Sequence, residues 1–571
     1  MKQSDKDAVM VNSRELIRKL DGMKPVQHIL LLIAVVLVLL LPGTDRLPLL
    51  DRDEPRFAGA TVEMMDRHEW IIPYFNHEYR FDKPVFTYWA MRAFYNIFGI
   101  NELGARFHSV VSVLLLAVLV YVMGRRWFSA SVGFLAAFGL VTSVQLIVNG
   151  RSCVADMPMI LFVAASQFAL FEMLKTRRPE KKWFWVLYLS LALGFLAKGP
   201  IALLVPAVSV LFLRFGFYRQ PLPFQNLKLH FGIPLVLILI GLWGGPALIL
   251  TQGQFWDQGI NRHVVKRGLE VFNGRFYLPV FYPITAFISL FPWIAFMGYG
   301  FYAIRERRSY ENACLLSWFV SPYLIFTFYA TQLPHYVMPA FPAFFLMLAQ
   351  AFEKPAGNRK WTRRLFVSVM ALFAAVALIV LLISFIKPLT GDFAGLKYAI
   401  WGASLLLLSL VGMAVLVRKG RFMPALLLVI VIGFSAFSLG AGFRMVSPAV
   451  KLSALFHELP EDTKYLGYIF KEDSLVFYSR NKWLMTDRFE DAAAAVDKPG
   501  PVLLVMLMHE VRLDDYINAV FSGKTVDKER KIGEYRSEVD TFSPPGFSEI
   551  DISGANFGRT SWVNLKVLYR K

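Results

Sequence analysis

The chain alternates between long apolar blocks and short polar or basic turns. The first block, from His28 to Leu41, is an almost uninterrupted run of Leu, Ile and Val, and similar blocks recur as far as about Leu439. Because about 20 apolar helical residues match the thickness of a bilayer core, the pattern predicts a polytopic α-helical membrane protein with about thirteen spans. Their predicted centres lie near residues 38, 114, 140, 165, 190, 208, 241, 290, 322, 344, 375, 408 and 432.

Basic residues in the turns between these blocks predict the orientation. The turns that follow alternate blocks are rich in Lys and Arg, whereas the short turns on the other side are poor in both. Since cytoplasmic turns carry an excess of Lys and Arg, we assign the basic turns and the N-terminus to the cytoplasm. An odd number of spans then leaves the C-terminus outside. The basic turns contain Arg125 and Arg126; Lys175, Arg177, Arg178, Lys181 and Lys182; Arg214, Arg219 and Lys228; Arg305, Arg307 and Arg308; Arg359, Lys360, Arg363 and Arg364; and Arg418, Lys419 and Arg421.

Composition divides the chain into three predicted parts. Charged residues make up only 18% of the sequence, whereas soluble proteins are near a quarter charged. The net charge of +19 lies in the apolar part, and the chain is close to neutral from Lys451 onward, which argues against a nucleic-acid partner. We predict a cytoplasmic segment at residues 1–25, a membrane domain at 26–445 and an extracytoplasmic α/β domain at 446–571. The first apolar block lacks a small-residue cleavage site and is interpreted as a retained anchor.

The predicted C-terminal domain has a different pattern of side chains. Its β-branched and aromatic content predicts strands at Lys464–Phe470, Ser474–Ser479, Val502–Met508 and Trp562–Tyr569. A helix is predicted at Glu510–Phe521. The turns between them are rich in Pro and Gly.

Unusual polar segments converge on the predicted outer side of the membrane. Polar groups near a bilayer are costly and tend to mark function. The longest segment, called the first loop below, runs from Asp45 to Tyr95, and long ordered loops are more often functional than not. The others are Asn149 to Asp156, Gln252 to Tyr277, and Gln332 to Tyr336, with Lys198 at a further outer helix end.

Acidic residues at two predicted outer helix starts are candidates for catalysis. Asp53 and Glu54 lie in the first loop ahead of Pro55, and Asp156 precedes another apolar block. A carboxylate beside an acceptor hydroxyl can act as a general base. The alternative is a capping role, since acids and Pro favour the first helical turn and Asp is a preferred N-cap. The sequence leaves both readings open.

Basic and aromatic residues near the same surface are candidates for binding a phosphate. They are Arg56, Lys83, Lys198, His335 and Tyr336. Guanidinium and ammonium groups suit phosphate oxygens and would hold a lipid phosphate as it leaves a sugar. A lysine that extends along the membrane surface is the alternative for Lys198. An aromatic anchor at the interface is the alternative for His335 and Tyr336.

A divalent metal ion is a further candidate ligand, held by Asp82 and His263. The alternative for His263 is a solvated or hydrogen-bonded side chain. The sequence has only two cysteines, Cys153 and Cys314, near predicted helix ends on opposite sides of the membrane. A disulfide is therefore not predicted, and no cysteine cluster suggests a metal site.

A set of short motifs occurs in order between about residues 30 and 350. The motifs are Asp53-Glu54-Pro55-Arg56-Phe57, Asp82-Lys83-Pro84, Tyr88-Trp89, Gly99 to Arg106, Asp156-Met157-Pro158, Lys198-Gly199-Pro200 and Leu333-Pro334-His335-Tyr336. This ordered set resembles the GT-C glycosyltransferases related to protein O-mannosyltransferases, and the branch that it resembles most is the ArnT-like bacterial enzymes. Where the aminoarabinose transferases usually have Glu-Lys-Pro, this chain has Asp82-Lys83-Pro84.

The resemblance implies a GT-C membrane domain with juxtamembrane helices in the first loop and an extracytoplasmic α/β domain. It also implies positions for functional residues. The family's acidic, lysine and tyrosine site residues fall on Asp53, Asp82, Lys83, Asp156, Lys198 and Tyr336.

The implied function is an inverting glycosyltransferase that uses a polyprenyl-phosphate sugar at the outer face of a bacterial inner membrane. It would transfer a sugar, such as 4-amino-4-deoxy-L-arabinose, from undecaprenyl phosphate to lipid A or another envelope glycan. One alternative is an enzyme like the protein O-mannosyltransferases, acting on Ser or Thr. Another is a lipid or sugar transporter, or flippase, which would favour ionisable groups at mid-membrane and repeat symmetry. The charges at one rim and the long acidic loop favour an enzyme.

Overall fold

The computed structural model describes the chain except for several short segments. The described residues are 15–50, 52–176, 178–218, 220–266, 280–306, 309–353, 360–384, 396–419, 427–435, 438, 447–512, 534–556 and 561–571. Up to residue 435 these residues are mainly helical, and from residue 447, a part called the C-terminal region below, they contain a mixed sheet.

Helices occur at each of the apolar blocks predicted from the sequence. The α-helices of this part are Glu15–Asp21, Pro25–Leu40, Asp53–Asp66, Phe86–Phe98, Glu102–Trp127, Ala130–Val141, Val144–Gly150, Asp156–Lys175, Lys182–Lys198, Ile201–Phe212, Leu229–Leu250, Phe281–Ser289, Met297–Glu306, Tyr310–Thr327, Phe341–Glu353, Lys360–Ser384 and Leu396–Arg418, and the described residues 427–435 are helical too. Shorter 3-10 and π segments are Leu213–Phe217, Phe224–Leu227, Phe255–Lys266, Trp293–Phe296 and Pro334–Ala340.

Several of these helices have the length and apolar composition of membrane spans. Within the described residues five helices qualify, and three sharply bent pairs raise the number to at most eight. The predicted total of about thirteen spans stays a prediction. The five are Glu102–Trp127, Asp156–Lys175, Phe224–Leu250, Pro334–Glu353 and Arg364–Leu382.

The first loop folds into two helices with a small hairpin between them. The first-loop helix, Asp53–Asp66, is followed by β1 (Tyr74–Phe75), β2 (Glu78–Tyr79) and the Phe86–Phe98 helix. The second helix is amphipathic, because Thr87, Tyr88, Met91 and Tyr95 are buried along one side.

The hairpin turn is bonded to the first-loop helix by a carboxylate. Asn76 and His77 have φ of 55° and 66°, as two-residue hairpin turns require. Their backbone N–H groups donate to the Glu63 carboxylate at 2.6 and 3.0 Å. The hairpin and the helix therefore form one unit.

The C-terminal region contains a six-stranded sheet with short helices on it. The strands are β3 (Lys464–Tyr468), β4 (Trp483–Thr486), β5 (Val502–Arg512), β6 (Glu534–Tyr535), β7 (Ser548–Asn556) and β8 (Ser561–Arg570). The order is β4-β3-β5-β8-β7, with β6 beside β5; β3 pairs in parallel with β4 and β5, and the remaining pairs are antiparallel. The helices are Pro448–Glu458, Asp473–Ser479, Phe489–Val496 and Ser537–Thr541.

One secondary-structure prediction in this region was wrong, and a second is contradicted over its first three residues. Ser474–Ser479 was predicted as a strand, but Asp473–Ser479 is a helix. Its residues 474–477 are all buried, and a short buried helix has no periodicity that separates it from a buried strand. The predicted helix at Glu510–Phe521 begins inside β5, which continues to Arg512; the rest of that prediction lies outside the described residues.

Candidate active site

A buried ion pair between Glu54 and Arg106 fixes the start of the first-loop helix. Arg106 donates through Nε and Nη2 to the two carboxylate oxygens of Glu54, each at 2.9 Å. Its remaining N–H groups donate to the carbonyl oxygens of Thr44, Leu47 and Pro48 at 2.6 to 2.9 Å. All five donors of the guanidinium are thereby used, as a buried arginine requires.

Glu54 also joins the first loop to a second segment. Its oxygens accept hydrogen bonds from the backbone N–H groups of Leu50 at 2.7 Å and Cys153 at 2.9 Å. Cys153 lies three residues before Asp156 in the sequence. The start of the Asp53 helix and the start of the Asp156 helix are therefore held side by side. Glu54 is 2% exposed and accepts four hydrogen bonds, which is the environment of a structural residue; the catalytic role predicted for it from the sequence stays a prediction.

Asp53 is oriented differently from its neighbour. It lies in the first turn of the helix and is exposed to solvent, and Arg52 rather than Asp53 occupies the N-cap position. Successive helical residues differ by about 100° in direction, so one acid points inward and the other outward. The charge of Asp53 acts on the guanidinium of Arg80. Asp53 is thus an accessible carboxylate next to a buried cation.

Arg80 is a site residue that the sequence analysis did not single out. It is 7% exposed, donates through Nε to the Tyr88 hydroxyl at 2.9 Å, and lies 3.3 Å from an Asp82 oxygen. Its guanidinium carbon is 5.1 Å from the centre of the Phe57 ring. Burial raises the pKa of the Tyr88 phenol, and the neighbouring Arg80 guanidinium acts in the opposite direction. The available signal was its position two residues before Asp82, in a segment already chosen for its charges.

A second cluster brings together predicted residues from four distant segments. Lys198 donates to the carboxylate of Asp156, and the two side chains are 13% and 7% exposed. Nε2 of His335 lies 3.9 Å from the same carboxylate oxygen, and the charge of Lys83 acts on it too. Nζ of Lys198 is 5.5 Å from the centre of the Tyr336 ring. The cluster therefore combines one buried acid with several cationic or aromatic groups.

The backbone after Lys198 explains its motif. The Lys182–Lys198 helix ends at Gly199, whose φ of 86° is favourable for glycine. Pro200 lies directly before the Ile201–Phe212 helix, and the φ angle fixed by its ring is compatible with a helix start. The Gly-Pro step reverses the chain just past the lysine. Lys198 is consequently the last residue of its helix, where a positive charge is favoured.

Arg56 contacts the C-terminal region. Its Nε lies 2.9 Å from Oδ2 of Asp473, the first residue of the Asp473–Ser479 helix. The side chains of Arg56 and Asp473 are 34% and 19% exposed. Arg56 had been predicted as a phosphate-binding cation, and its partner is a residue that the sequence analysis did not single out.

The predicted metal site of Asp82 and His263 stays a prediction. The carboxylate of Asp82 lies next to the Arg80 guanidinium, a cation of the protein itself. The side chain of His263 lies outside the described residues. In the part of the chain that the structure describes, no three His, Cys, Asp or Glu residues are grouped as metal ligands.

Comparisons of the sequence find similarity to one group of glycosyltransferases. Residues 82–243 match the family model described as dolichyl-phosphate-mannose-protein mannosyltransferase. The chain is 31% identical over 337 residues to the undecaprenyl phosphate-alpha-4-amino-4-deoxy-L-arabinose arabinosyl transferase of Yersinia pestis (strain Pestoides F). It is 30% identical over 299 residues to an uncharacterized protein of Aquifex aeolicus (strain VF5). The matches cover 58% and 52% of this chain, and 60% and 58% of these relatives, respectively.

Solved structures extend the similarity of fold over nearly the whole chain. ArnT from Cupriavidus metallidurans bound to undecaprenyl phosphate superposes with a TM-score of 0.72 at 17% identity, covering 95% of this chain and 97% of that one. The archaeal oligosaccharyltransferase AglB from Archaeoglobus fulgidus superposes with a TM-score of 0.51 at 12% identity, over 84% of this chain and 69% of that one. The sequence and fold comparisons confirm the predicted resemblance to the ArnT-like glycosyltransferases.

Proposed function

We propose that this chain is a glycosyltransferase that takes a sugar from undecaprenyl phosphate at the outer face of a bacterial inner membrane. The observation that carries the proposal is the cluster of Lys83, Lys198, His335 and Tyr336 around Asp156. These groups come from segments far apart in the sequence and are concentrated where apolar helices end. The resemblance to the arabinosyl transferases of Yersinia supports the same donor lipid.

The cationic groups would bind the donor phosphate. A polyprenyl phosphate leaves the sugar as an anion, so ammonium groups that contact its oxygens stabilise the developing charge. Lys83 and Lys198 supply such groups. Asp156 accepts a hydrogen bond from Lys198, which orients the ammonium group and balances part of its charge. Tyr336 lies beside this lysine and would contact the phosphate or the sugar.

Asp53 would act on the acceptor. If the acceptor is a hydroxyl, the exposed carboxylate removes its proton as the glycosidic bond forms. If the acceptor is a phosphate, as on lipid A, no base is needed, and Asp53 stabilises positive charge at the anomeric carbon. In both cases Glu54 and Arg106 hold the helix that carries Asp53.

A second candidate is transfer to Ser or Thr of a protein. The observation that favours it is the family model at residues 82–243, whose description is of a protein mannosyltransferase. Such acceptors are hydroxyls, and they need Asp53 as a base more strictly than a phosphate does.

Mass spectrometry of lipid A and total envelope glycolipids, from cells with and without the protein, tests the proposal. Loss of an aminopentose from a lipid A phosphate in the deleted strain is the expected result. Unchanged lipid A with a sugar missing from another glycan keeps the reaction and replaces the acceptor. A sugar missing from protein favours the second candidate. Identical glycan profiles in both strains would contradict the proposal.

Replacement of Lys83 by Ala is expected to weaken donor binding. A hydrogen bond to a charged group contributes about 1.5–3 kcal/mol, so the KM for the undecaprenyl-phosphate sugar should rise about 10-fold to 100-fold. Steady-state kinetics in detergent measures this. Lys182→Ala is a matched control, because that lysine is exposed and pairs with Glu180. An unchanged donor KM and rate in Lys83→Ala would count against the phosphate role.

A further inference from the structure

One carboxylate of the C-terminal region lies among arginines of the first loop. Asp473 accepts from Nε of Arg56 at 2.9 Å, and the positive charges of Arg52 and Arg80 also act on it. These arginines flank Asp53 in the sequence or lie beside it in space. The C-terminal region thus places an acid next to the proposed catalytic carboxylate.

This position is unfavourable for the charged form of Asp473. Burial raises the pKa of the Asp473 carboxyl, although the neighbouring Arg56, Arg80 and Arg52 act in the opposite direction. Perturbed carboxyl groups are frequent at functional sites and also occur in structural ion pairs, so the geometry of the surrounding contacts decides between the two roles.

Other contacts hold the C-terminal region against the helical part of the chain. The Tyr478 hydroxyl donates to the Glu102 carboxylate at 3.0 Å and accepts from the backbone N–H of Leu49 at 3.0 Å. Phe477 is 8% exposed and is buried within the apolar cluster of the first loop. These contacts lie on the same short helix as Asp473, one to two turns further on.

A second contact that holds the C-terminal region in place lies at the hairpin turn. The side-chain amide of Asn76 donates to the carbonyl of Trp483 at 2.9 Å and accepts from its N–H at 2.8 Å. This reciprocal pair fixes β4 against the hairpin turn. The Asp473–Arg56 pair is therefore one contact of several, and its loss should leave the C-terminal region docked.

We propose that Asp473 is a positioning residue that orients the Arg56 guanidinium toward a substrate phosphate. An acid on Nε fixes the plane of a guanidinium, whose terminal amino groups are well suited to phosphate oxygens. Arg56 lies one helical turn after Asp53, so its oriented group faces the region of the proposed reaction. The inference rests on the proposed function and makes the C-terminal region part of the phosphate site.

Binding of undecaprenyl phosphate to the purified full-length protein in detergent micelles tests this role without knowledge of the sugar. We expect Asp473→Asn to weaken binding about tenfold, as loss of one charge-assisted contact implies. Arg56→Ala should weaken it at least as much. The double variant should bind as Arg56→Ala does, because Asp473 acts through that arginine. Asp473→Glu should recover part of the affinity.

Two control variants separate positioning from docking. Asn76→Ala removes the hairpin contact and should bind undecaprenyl phosphate as the wild type does. Asp487→Asn removes an exposed carboxylate paired with Lys471, away from the first loop, and should also have no effect. Thermal midpoints of all variants show whether each is folded.

Several results would overturn the inference. Wild-type affinity in Asp473→Asn, with binding weakened in Arg56→Ala, would remove Asp473 from the site. Tighter binding in Asp473→Asn would mean that the carboxylate competes with the phosphate. If Asn76→Ala weakened binding as much as Asp473→Asn does, the Asp473–Arg56 pair would only help to dock the C-terminal region. If the wild type itself does not bind undecaprenyl phosphate, the proposed function fails together with the inference.

Discussion

Replacement of Asp53 by Asn is expected to lower sugar transfer by about 10²–10⁴-fold, the usual contribution of a positioned acid or base. The amide keeps the size of the side chain but carries no charge and takes up no proton. The fold should survive, because the helix start is held by Glu54 and Arg106 and the side chain of Asp53 is exposed. Measurements of kcat, the KM for donor and acceptor, and the thermal midpoint test both parts of this expectation.

Asp66→Asn is the matched control for that variant. Asp66 is an exposed acid at the other end of the same helix, and its replacement should leave the rate unchanged. Full activity in Asp53→Asn would remove Asp53 from the mechanism. A loss of activity together with a lowered thermal midpoint would mean that the residue acts on the fold.

Replacement of Arg106 by Met is expected to destabilise the protein by about 3–5 kcal/mol, because it leaves the Glu54 carboxylate buried without its cation. The carbonyl oxygens of Thr44, Leu47 and Pro48 would lose their donors in the same step. The expected observation is a lowered unfolding midpoint and a smaller folded fraction after detergent extraction. Size-exclusion chromatography and thermal unfolding measure these quantities.

The paired variant Glu54→Gln with Arg106→Met identifies the cause. If the unpaired charge of Glu54 causes the loss of stability, the double variant will be more stable than Arg106→Met alone. A double variant that loses the sum of the two single losses would contradict this explanation. Lys471→Met, at an exposed ion pair, should change the midpoint little.

The sequence predicted the residues of the candidate site better than their partners. Polar groups at the ends of apolar helices stand out locally, so Asp156, Lys198 and His335 could be chosen without knowledge of the fold. Lys198 and His335 both lie at the Asp156 carboxylate because of how the helices pack, and a local sequence pattern carries no information about that packing. Side-chain direction was also undetermined, because adjacent acids such as Asp53 and Glu54 look alike until the buried side of the helix is known.

Asp473 could not have been found from the sequence. It lies in a region without a recognised motif, next to residues whose apolar character predicted a strand. Its significance comes from its contact with Arg56, which is distant in the sequence and was predicted to bind a phosphate. Arg106 belongs to a motif noted in the sequence, but its pairing with Glu54 was not predicted, because the two residues are 52 positions apart and its other partners are backbone carbonyl groups.

The docking of the C-terminal region also has a consequence for the order in which the protein becomes active. Leu49 and Tyr478, which share a hydrogen bond, are 429 positions apart, so one is synthesised early and the other late. A nascent chain that carries every first-loop motif still lacks Asp473 on Arg56. By the proposal above, such a chain would bind donor lipid about tenfold more weakly until the Asp473–Ser479 helix has been synthesised and has docked on the first loop.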